Sequence, residues 1–372
     1  MQYKFEDIAI NSTAKKKPTE EDKDTYIGLE HLDSDCLYVT RWGADAAPTG
    51  EKLLMKKGDV LFGKRRAYQR KVGIAPFDGI FSAHGMVLRP NEEIIDKKFF
   101  PFFISSDQFM ERAVRISVGG LSPTINWKDL RIQEFDLPPI DEQRILADKL
   151  WAAYRLKESY KKLLTATQEM VKSQFIEMFG DQNTNDKGWT ESLVKDEFKL
   201  SMGKTPARNN PECWDNGTHK WVSISDMSSY TRYTGDTSEY ITDYAIADSG
   251  IKAVPKGTII MSFKLSIGRT AITSEDLYTN EAIMAFAGFD EKKFNIDFLH
   301  FLIANKNWLL GAKQAVKGQT LNKESIGNAK IVIPPIKAQE EFASIYNQAD
   351  KSEFELRKSI LAIDQVIKSL IN

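Results

Sequence analysis

Cysteine is nearly absent: the 372 residues include two, Cys36 and Cys213, far apart. A disulfide-stapled scaffold and a cysteine-rich zinc site are therefore excluded. Neither cysteine has a basic or metal-binding neighbour, so both read as inert. Histidine is scarce and isolated, at His31, His84, His219 and His300, so no paired metal-ligand spacing such as HExxH exists. His84, beside Gly85, reads as structural. No apolar run approaches the roughly 18 residues of a membrane span, and MQYKFEDIAI is too polar to open a signal peptide. The expected compartment is the cytoplasm, without a membrane partner. No GxGxxG, GxxxxGK[ST] or GxSxG sequence occurs, so no dinucleotide cradle, P-loop or nucleophile elbow is signalled. An excess of either charge is also missing: 51 Lys and Arg against 52 Asp and Glu leave a formal charge of −1. A uniformly basic coat is ruled out, and any nucleic-acid face must be a local concentration of cations.

What is present is apolar material and a repeat. Hydrophobic residues are 42% and charged residues 28%, a globular balance with enough material for two or three domains. Leu137-Pro138-Pro139-Ile140 recurs as Ile333-Pro334-Pro335-Ile336, an offset of 334 − 138 = 196. At that offset Asn126 falls on Asn322, Gln143 on Gln339, and Lys172-Ser173 on Lys368-Ser369. With small gaps, Lys57–Leu61 matches Lys256–Ile260, Phe81–Met86 matches Tyr278–Ile283, and Tyr26–Leu29 matches Trp221–Ile224. Collinear blocks in both halves point to a domain-sized duplication.

Each half has two parts. Residues 1–136 and 181–332 carry short apolar runs such as GDVLFG, VGIAPF and GTIIMSF, broken by Gly, Pro and Asn. They read as strands and turns with short helices packed on them, an α+β domain. Residues 137–180 and 333–372 each begin at Pro-Pro, which suits a helix start because proline lacks a donor that the first turn cannot use. Long helices are expected over 141–179 and 337–371. In the second, Phe342, Ile345, Ala349, Leu356, Ile360, Ile363, Ile367 and Leu370 step mostly by three or four. In the first, Leu146, Lys149, Ala153, Leu156, Tyr160, Leu164, Thr167 and Val171 nearly preserve the stripe. Such a stripe needs covering. The helices either pair with each other, which is preferred, or each lies on its own domain.

The blocks Gly58-Asp59-Val60-Leu61-Phe62-Gly63-Lys64-Arg65, Gly203-Lys204-Thr205-Pro206 with Trp221–Asp226, and Pro138-Pro139-Ile140-Asp141-Glu142-Gln143 resemble specificity subunits of type I restriction–modification systems. The second copy departs from the PPxxEQ pattern, with Ala338 in place of Glu142. The resemblance covers nearly the whole chain. It implies two duplicated α/β target recognition domains, 1–136 and 181–332, each reading half of a split DNA target. It further implies two spacer helices, 137–180 and 333–372, forming an antiparallel coiled coil in a pseudo-twofold arrangement. It implies no catalytic residue, metal or cofactor in this chain. Double-stranded DNA, two modification (methyltransferase) subunits and restriction (translocase and nuclease) subunits are the implied partners. S-adenosylmethionine, ATP and Mg belong to those partner subunits.

The strongest local cation signal is Lys64-Arg65-Arg66-Ala67-Tyr68-Gln69-Arg70-Lys71, with five basic residues and no acidic one. Residues 1–136 as a whole balance at 21 basic and 21 acidic, so this run has a directional field. Arginine suits bidentate contact with guanine or phosphate, and glutamine with adenine. Lys64, Arg65, Arg66, Tyr68, Gln69, Arg70 and Lys71 are the DNA-binding candidates of the first half. A solvated hairpin is the plain alternative. The second half offers Lys264, Ser266 and Arg269 at the equivalent place, with Lys204 and Arg208 in GKTPARNN. Because the two loops differ, an asymmetric target is expected. Trp127, Trp151, Trp189, Trp214, Trp221 and Trp308 read as core or interface residues before stacking platforms. Three other readings stay open: an enzyme with dispersed catalytic residues, the recognition subunit of a fused methyltransferase–nuclease system, and a coiled-coil scaffold without DNA.

Overall fold

The computed structural model describes residues 1–264, 266–309 and 321–372, together with the backbone strands Gln314–Ala315 and Gly318–Gln319. The chain divides into unit 1, Met1–Leu163 with Leu356–Asn372, and unit 2, Leu164–Glu355.

Unit 1 contains β1 (Ala9–Ser12), β2 (Tyr26–Ile27), β3 (Val60–Phe62), β4 (Val72–Ile74), β5 (Gly79–Phe81) and β6 (Met86–Pro90). The apolar runs alternate with tight turns, so neighbouring strands fold back antiparallel in the order β1-β6-β3-β4. The turn before β3 uses Gly58 at φ +90°, a left-handed conformation that glycine adopts without steric penalty. In a second sheet β5 pairs antiparallel with Lys52–Met55 and parallel with β2. Two helices, α1 (Phe100–Ser105) and α2 (Asp107–Arg115), cover the first sheet. Ser106 caps α2 by accepting the Phe109 N–H at 3.1 Å. Phe5, Phe62, Phe100, Phe109 and Phe135 fill the core between them.

Unit 2 repeats this plan. Its strands are β7 (Lys199–Met202), β8 (His219–Val222), β9 (Ile259–Ser262), β10 (Thr270–Ile272), β11 (Tyr278–Thr279) and β12 (Ile283–Ala287). The order β7-β12-β9-β10 is again antiparallel, and β8 again pairs parallel with β11. The registers correct one detail of the sequence match. Tyr26 lies opposite Ile80 and Trp221 opposite Tyr278. Ile80, and not Phe81, therefore corresponds to Tyr278, an offset of 278 − 80 = 198. Matching by residue type cannot detect which residues share a pairing partner.

The Pro-Pro signals lie at the starts of α3 (Ile140–Phe179) and α5 (Ile336–Ile371); between them, α4 (Ile296–Asn305) occupies the place of α1. Both alternatives for the apolar stripe hold in part. In unit 1, Ala147, Leu150 and Tyr154 of α3 sit in the core of their own domain, and Ile367, Leu370 and Ile371 of α5 pack against that core. Lys157 meets Asp364 at 2.5 Å. In unit 2, Phe342 and Ala349 share a core with Val171, Phe175 and Phe179. There Gln168 faces Glu353 and Phe175 faces Phe342, so the two helix segments run antiparallel.

Gln143 and Gln339 are 1% and 0% exposed. Each amide oxygen accepts a backbone N–H, from Asp96 at 2.9 Å and Asn295 at 3.0 Å. The Gln143 amide nitrogen donates to the carbonyls of Ile94 and Pro138, and that of Gln339 to those of Lys293 and Pro334. Despite the change of Glu142 to Ala338, both helix starts are pinned by the same contact. Glu142 is exposed, and its carboxylate takes no part in it.

Candidate nucleic-acid interface

The basic run 63–71 links β3 to β4, and residues 263–269 link β9 to β10 at the same place in unit 2. In unit 1 the loop closes through Gly63 N–H to Lys71 O at 2.9 Å. A single 3-10 turn, Ala67–Gln69, sits at its tip, with Ala67 buried as the anchor. Arg66 and Arg70 flank it at φ +57° and +52°. Two non-glycine residues in the left-handed region store backbone strain, which persists only where the surroundings over-determine it. Those surroundings are visible. Arg65 N–H donates to His84 O, Arg66 N–H to Pro123 O at 2.7 Å, and Ile125 N–H to Lys64 O. A hairpin closed by Val118 and Thr124 therefore buttresses the loop, and its Leu121 is 96% exposed. Nothing in its sequence, SVGGLSPT, signals that neighbourhood. His84 is exposed and serves the loop through its carbonyl alone.

The five cations are not equivalent. Arg70 is committed to the protein: its Nε donates to Asp35 at 2.9 Å, its Nη2 donates to Ser105 O at 2.7 Å, and Asp107 lies 3.1 Å away. Lys71 Nζ donates to Leu29 O at 2.6 Å, and Arg66 Nε to Ser122 Oγ at 3.1 Å. Ser34 Oγ holds the Gln69 carbonyl, leaving its side chain out of that contact. Lys64 is half-buried, and burial, with Lys15 nearby, pushes its ammonium pKa down. The Arg65 guanidinium and Tyr68 ring take no hydrogen bond or ionic partner among the described residues; Tyr68 is 56% exposed.

In unit 2 the cations are fewer and more neutralised. Ser262 N–H donates to Arg269 O at 2.9 Å to close the loop, and Ser266 sits at φ +49° with its carbonyl accepting Ser262 Oγ. Arg269 Nη1 donates to Ser228 O at 3.4 Å, and Lys264 is exposed, its Nζ 5.6 Å from the Phe263 ring centre. Lys204 Nζ donates to Ser249 O at 2.9 Å. Arg208 is paired with Glu239 and stacked on Trp214 and Trp221 at 4.2 and 4.7 Å. The Thr205 hydroxyl, with Lys264 and Arg208 further off, holds the Glu281 carboxyl below its ordinary range. Glu239 and Glu281 thus dilute the positive field here, which the spacing of the basic residues alone did not reveal. Trp221 and Trp308 are buried core residues. Cys213 is buried, and Cys36 half-buried, both unbridged.

Among the described residues no group of three His, Cys, Asp or Glu side chains can hold a metal. No helix there is long and apolar enough to cross a membrane. What the two units share is a strained, cation-bearing loop on a sheet edge, presented twice. That pattern defines a duplicated α+β fold with matching loops. Residues 3–166 and 186–364 match the type I restriction modification DNA specificity domain, and the chain belongs to that family. It is 25% identical over 168 residues to the MjaIX specificity subunit of Methanocaldococcus jannaschii, covering 44% of this chain and 38% of that protein. It is 27% identical over 197 residues to the EcoR124I/EcoR124II specificity subunit of Escherichia coli, covering 50% and 47%. The matched stretch is thus less than half the length of these two curated relatives. The S subunit of the M. genitalium type I system superposes with a TM-score of 0.56 at 13% identity, covering 100% of this chain and 94% of that one. A chain from work on complex assembly and conformational transition of the type I R-M system gives 0.58 at 16% identity, covering 100% and 96%. At these identities the likeness establishes the fold.

Proposed function

We propose that this chain is the non-catalytic DNA sequence-recognition subunit of a type I restriction–modification complex. It reads a split, asymmetric target with two domains and directs adenine methylation and DNA cleavage by partner subunits. The reading is carried by one observation: the specificity-domain match covers both halves. The cation-bearing loops between β3 and β4 and between β9 and β10 fit it. In this reading 1–136 and 181–332 are the recognition domains, and 137–180 and 333–372 the spacer helices.

Arg65, Arg66, Tyr68, Gln69 and Lys64 face DNA in the first domain, with Arg70 and Lys71 holding the loop. Lys264, Ser266 and Arg269 are their counterparts in the second, supported by Lys204 and Arg208. Methyltransferase subunits bring S-adenosylmethionine, and restriction subunits bring ATP and Mg. Leu156 and Leu361 in unit 1, and Met170 and Phe354 in unit 2, are large apolar residues exposed on the long helices. They suit docking of modification subunits. The complex acts on DNA in the cytoplasm.

Methylome sequencing of a host with and without this chain tests the reading. One bipartite, asymmetric methyladenine motif should vanish when the chain is removed. An unchanged methylome in a host whose partner subunits are expressed and active would refute it.

A further inference from the structure

The second unit seats its recognition sheet on its long helix in a different way from the first. The contrast is exact in register. In unit 1 the Ile74 N–H donates to Leu37 O at 2.9 Å and Tyr38 bridges Ile74 in parallel; in unit 2 the Ile272 N–H donates to Arg232 O at 2.8 Å and Tyr233 bridges Ile272 in parallel. Arg232 therefore stands where Leu37 stands. The pinned glutamines relate Ile94 O to Lys293 O, an offset of 293 − 94 = 199. By that offset His300 of α4 stands where Pro101 of α1 stands. By the helix offset of 196, Tyr346 replaces Leu150, and by the strand offset of 198, Thr270 replaces Val72. Leu37, Val72, Pro101 and Leu150 are all buried. These four apolar side chains of the first junction, where the Tyr154 hydroxyl accepts the Leu37 N–H at 2.7 Å and Trp151 Nε1 donates to Lys98 O at 3.0 Å, thus have polar or ionic counterparts in the second.

Its centre is Arg232, 3% exposed. The guanidinium meets Asp297 of α4, lies 3.7 Å from Asp350 of α5, and stacks 4.3 Å from the centre of the Tyr346 ring. The guanidinium is thus held by charge from two elements and by stacking on a third side chain. Asn347 also donates to Asp297, at 2.9 Å. His300 bridges the same elements: its Nε2 is 3.2 Å from Thr270 Oγ1 at the start of β10, and its Nδ1 is 3.1 Å from the Tyr346 hydroxyl.

We propose that Arg232 is a positioning residue that locks the sheet edge carrying the 263–269 loop onto α5. Apolar packing is non-directional and tolerates small rotations. A buried cation between two carboxylates and a ring has one low-energy arrangement, and buried ion pairs can hold geometry where they do not add stability. Arginine suits the place because its planar group stacks and pairs at once. Residues 232–234 lie against β10, the edge strand that follows the loop. Fixing Arg232 therefore fixes the loop's C-terminal root.

The inference about target reading rests on the proposed function; the lock itself does not. Hydrogen exchange on the full chain without DNA tests the lock. Arg232→Leu, which installs the first unit's residue, should raise exchange at Thr270–Ile272 and through 266–269 about tenfold and leave Val72–Ile74 unchanged. Arg232→Lys, which keeps the charge but not the planar stacking group, should restore only part of the protection. No local rise in folded Arg232→Leu protein, or an equal rise in both units, overturns the proposal. Should Arg232→Leu fail to fold, Asp350→Asn decides. It removes the α5 carboxylate that faces Arg232 and should raise exchange about threefold at Thr270–Ile272 alone; no rise there overturns the lock. In the assembled complex, a single mismatch normally lowers binding by about tenfold or more. With Arg232→Leu that penalty should fall below about threefold in the second half-site and hold in the first. Loss in both half-sites together overturns the positioning role. Absence of any sequence preference in the unmodified complex refutes the functional reading while leaving the exchange result to judge the lock.

Discussion

Replacing either buried glutamine at a helix start should loosen one unit and spare the other. In Gln143→Leu the side-chain volume barely changes, but three hydrogen bonds of 2.9, 3.0 and 2.9 Å disappear. The Asp96 N–H and the carbonyls of Ile94 and Pro138 lose a partner whose side chain is 1% exposed. Each stranded polar group costs about 1–3 kcal/mol, partly offset because the leucine is apolar. A net loss of about 3–5 kcal/mol in local stability follows for unit 1. Gln339→Leu removes bonds of 3.0, 3.0 and 2.8 Å, so unit 2 should lose a similar amount. Native-state hydrogen exchange reads each unit separately through the Asp96 and Asn295 amides, the two donors to these glutamines. Gln143→Leu should speed Asp96 exchange by at least about a hundredfold and leave Asn295 unchanged, and Gln339→Leu should do the reverse. Gln143→Glu should recover part of the loss as pH falls, because a protonated carboxyl donates one bond where a carboxylate donates none. A loss below about 1 kcal/mol in either unit, or equal loosening of both units by one substitution, would show that these contacts do not pin the helices.

Four further outcomes are expected. Arg65→Ala should weaken DNA binding by the assembled complex. A base contact would cost about 1–3 kcal/mol and relax one target position, and a phosphate contact would lower the salt slope by about one. Arg70→Ala should instead lower thermal stability by about 1–2 kcal/mol, since its partners are Asp35, Asp107 and Ser105; anisotropy titrations at several salts and calorimetry separate the two. The Lys157–Asp364 pair should respond unequally. Asp364→Leu strands a lysine whose side chain is 9% exposed and should cost about 3 kcal/mol, whereas Lys157→Met leaves a carboxylate that water still reaches and should cost about 1 kcal/mol in urea unfolding. His300 is held down to about pH 4 by burial first and by Arg232 second. The unfolded chain therefore binds a proton below about pH 6.5 that the native state refuses until about pH 4. Stability should be full above that window and fall by about 1.4 kcal/mol per pH unit within it, and His300→Gln should flatten that dependence.

The duplication was legible because both copies keep turn glycines, Pro-Pro starts and apolar runs that local physics demands. The long helices were legible for the same reason: uninterrupted helix formers after a proline start leave one reading. The basic run Lys64–Lys71 was visible as charge, but not which of its cations remain available. Arg65 and Arg70 are alike in sequence; only the arrival of Asp35 and Asp107, far away along the chain, commits one of them to the fold. Glu281 beside Thr205 and the hairpin at Val118–Thr124 were hidden for the same reason.

The sequence by itself therefore determined what depends on neighbours along the chain: element types, the repeat, the helix starts and the absence of familiar catalytic and metal-binding motifs. Tertiary structure decided what depends on distant partners. It set the one-residue shift at Ile80 and Tyr278, because strand pairing is fixed by backbone hydrogen bonds rather than residue likeness. It divided cations into those held by carboxylates, carbonyls or hydroxyls and those, such as Arg65, with no hydrogen-bond or ionic partner among the described residues. It also gathered Arg232, Asp297, His300, Tyr346 and Asp350, five residues from three separate segments, into one buried cluster. Electrostatic and packing energies act over a few ångströms of space, whatever the separation in sequence.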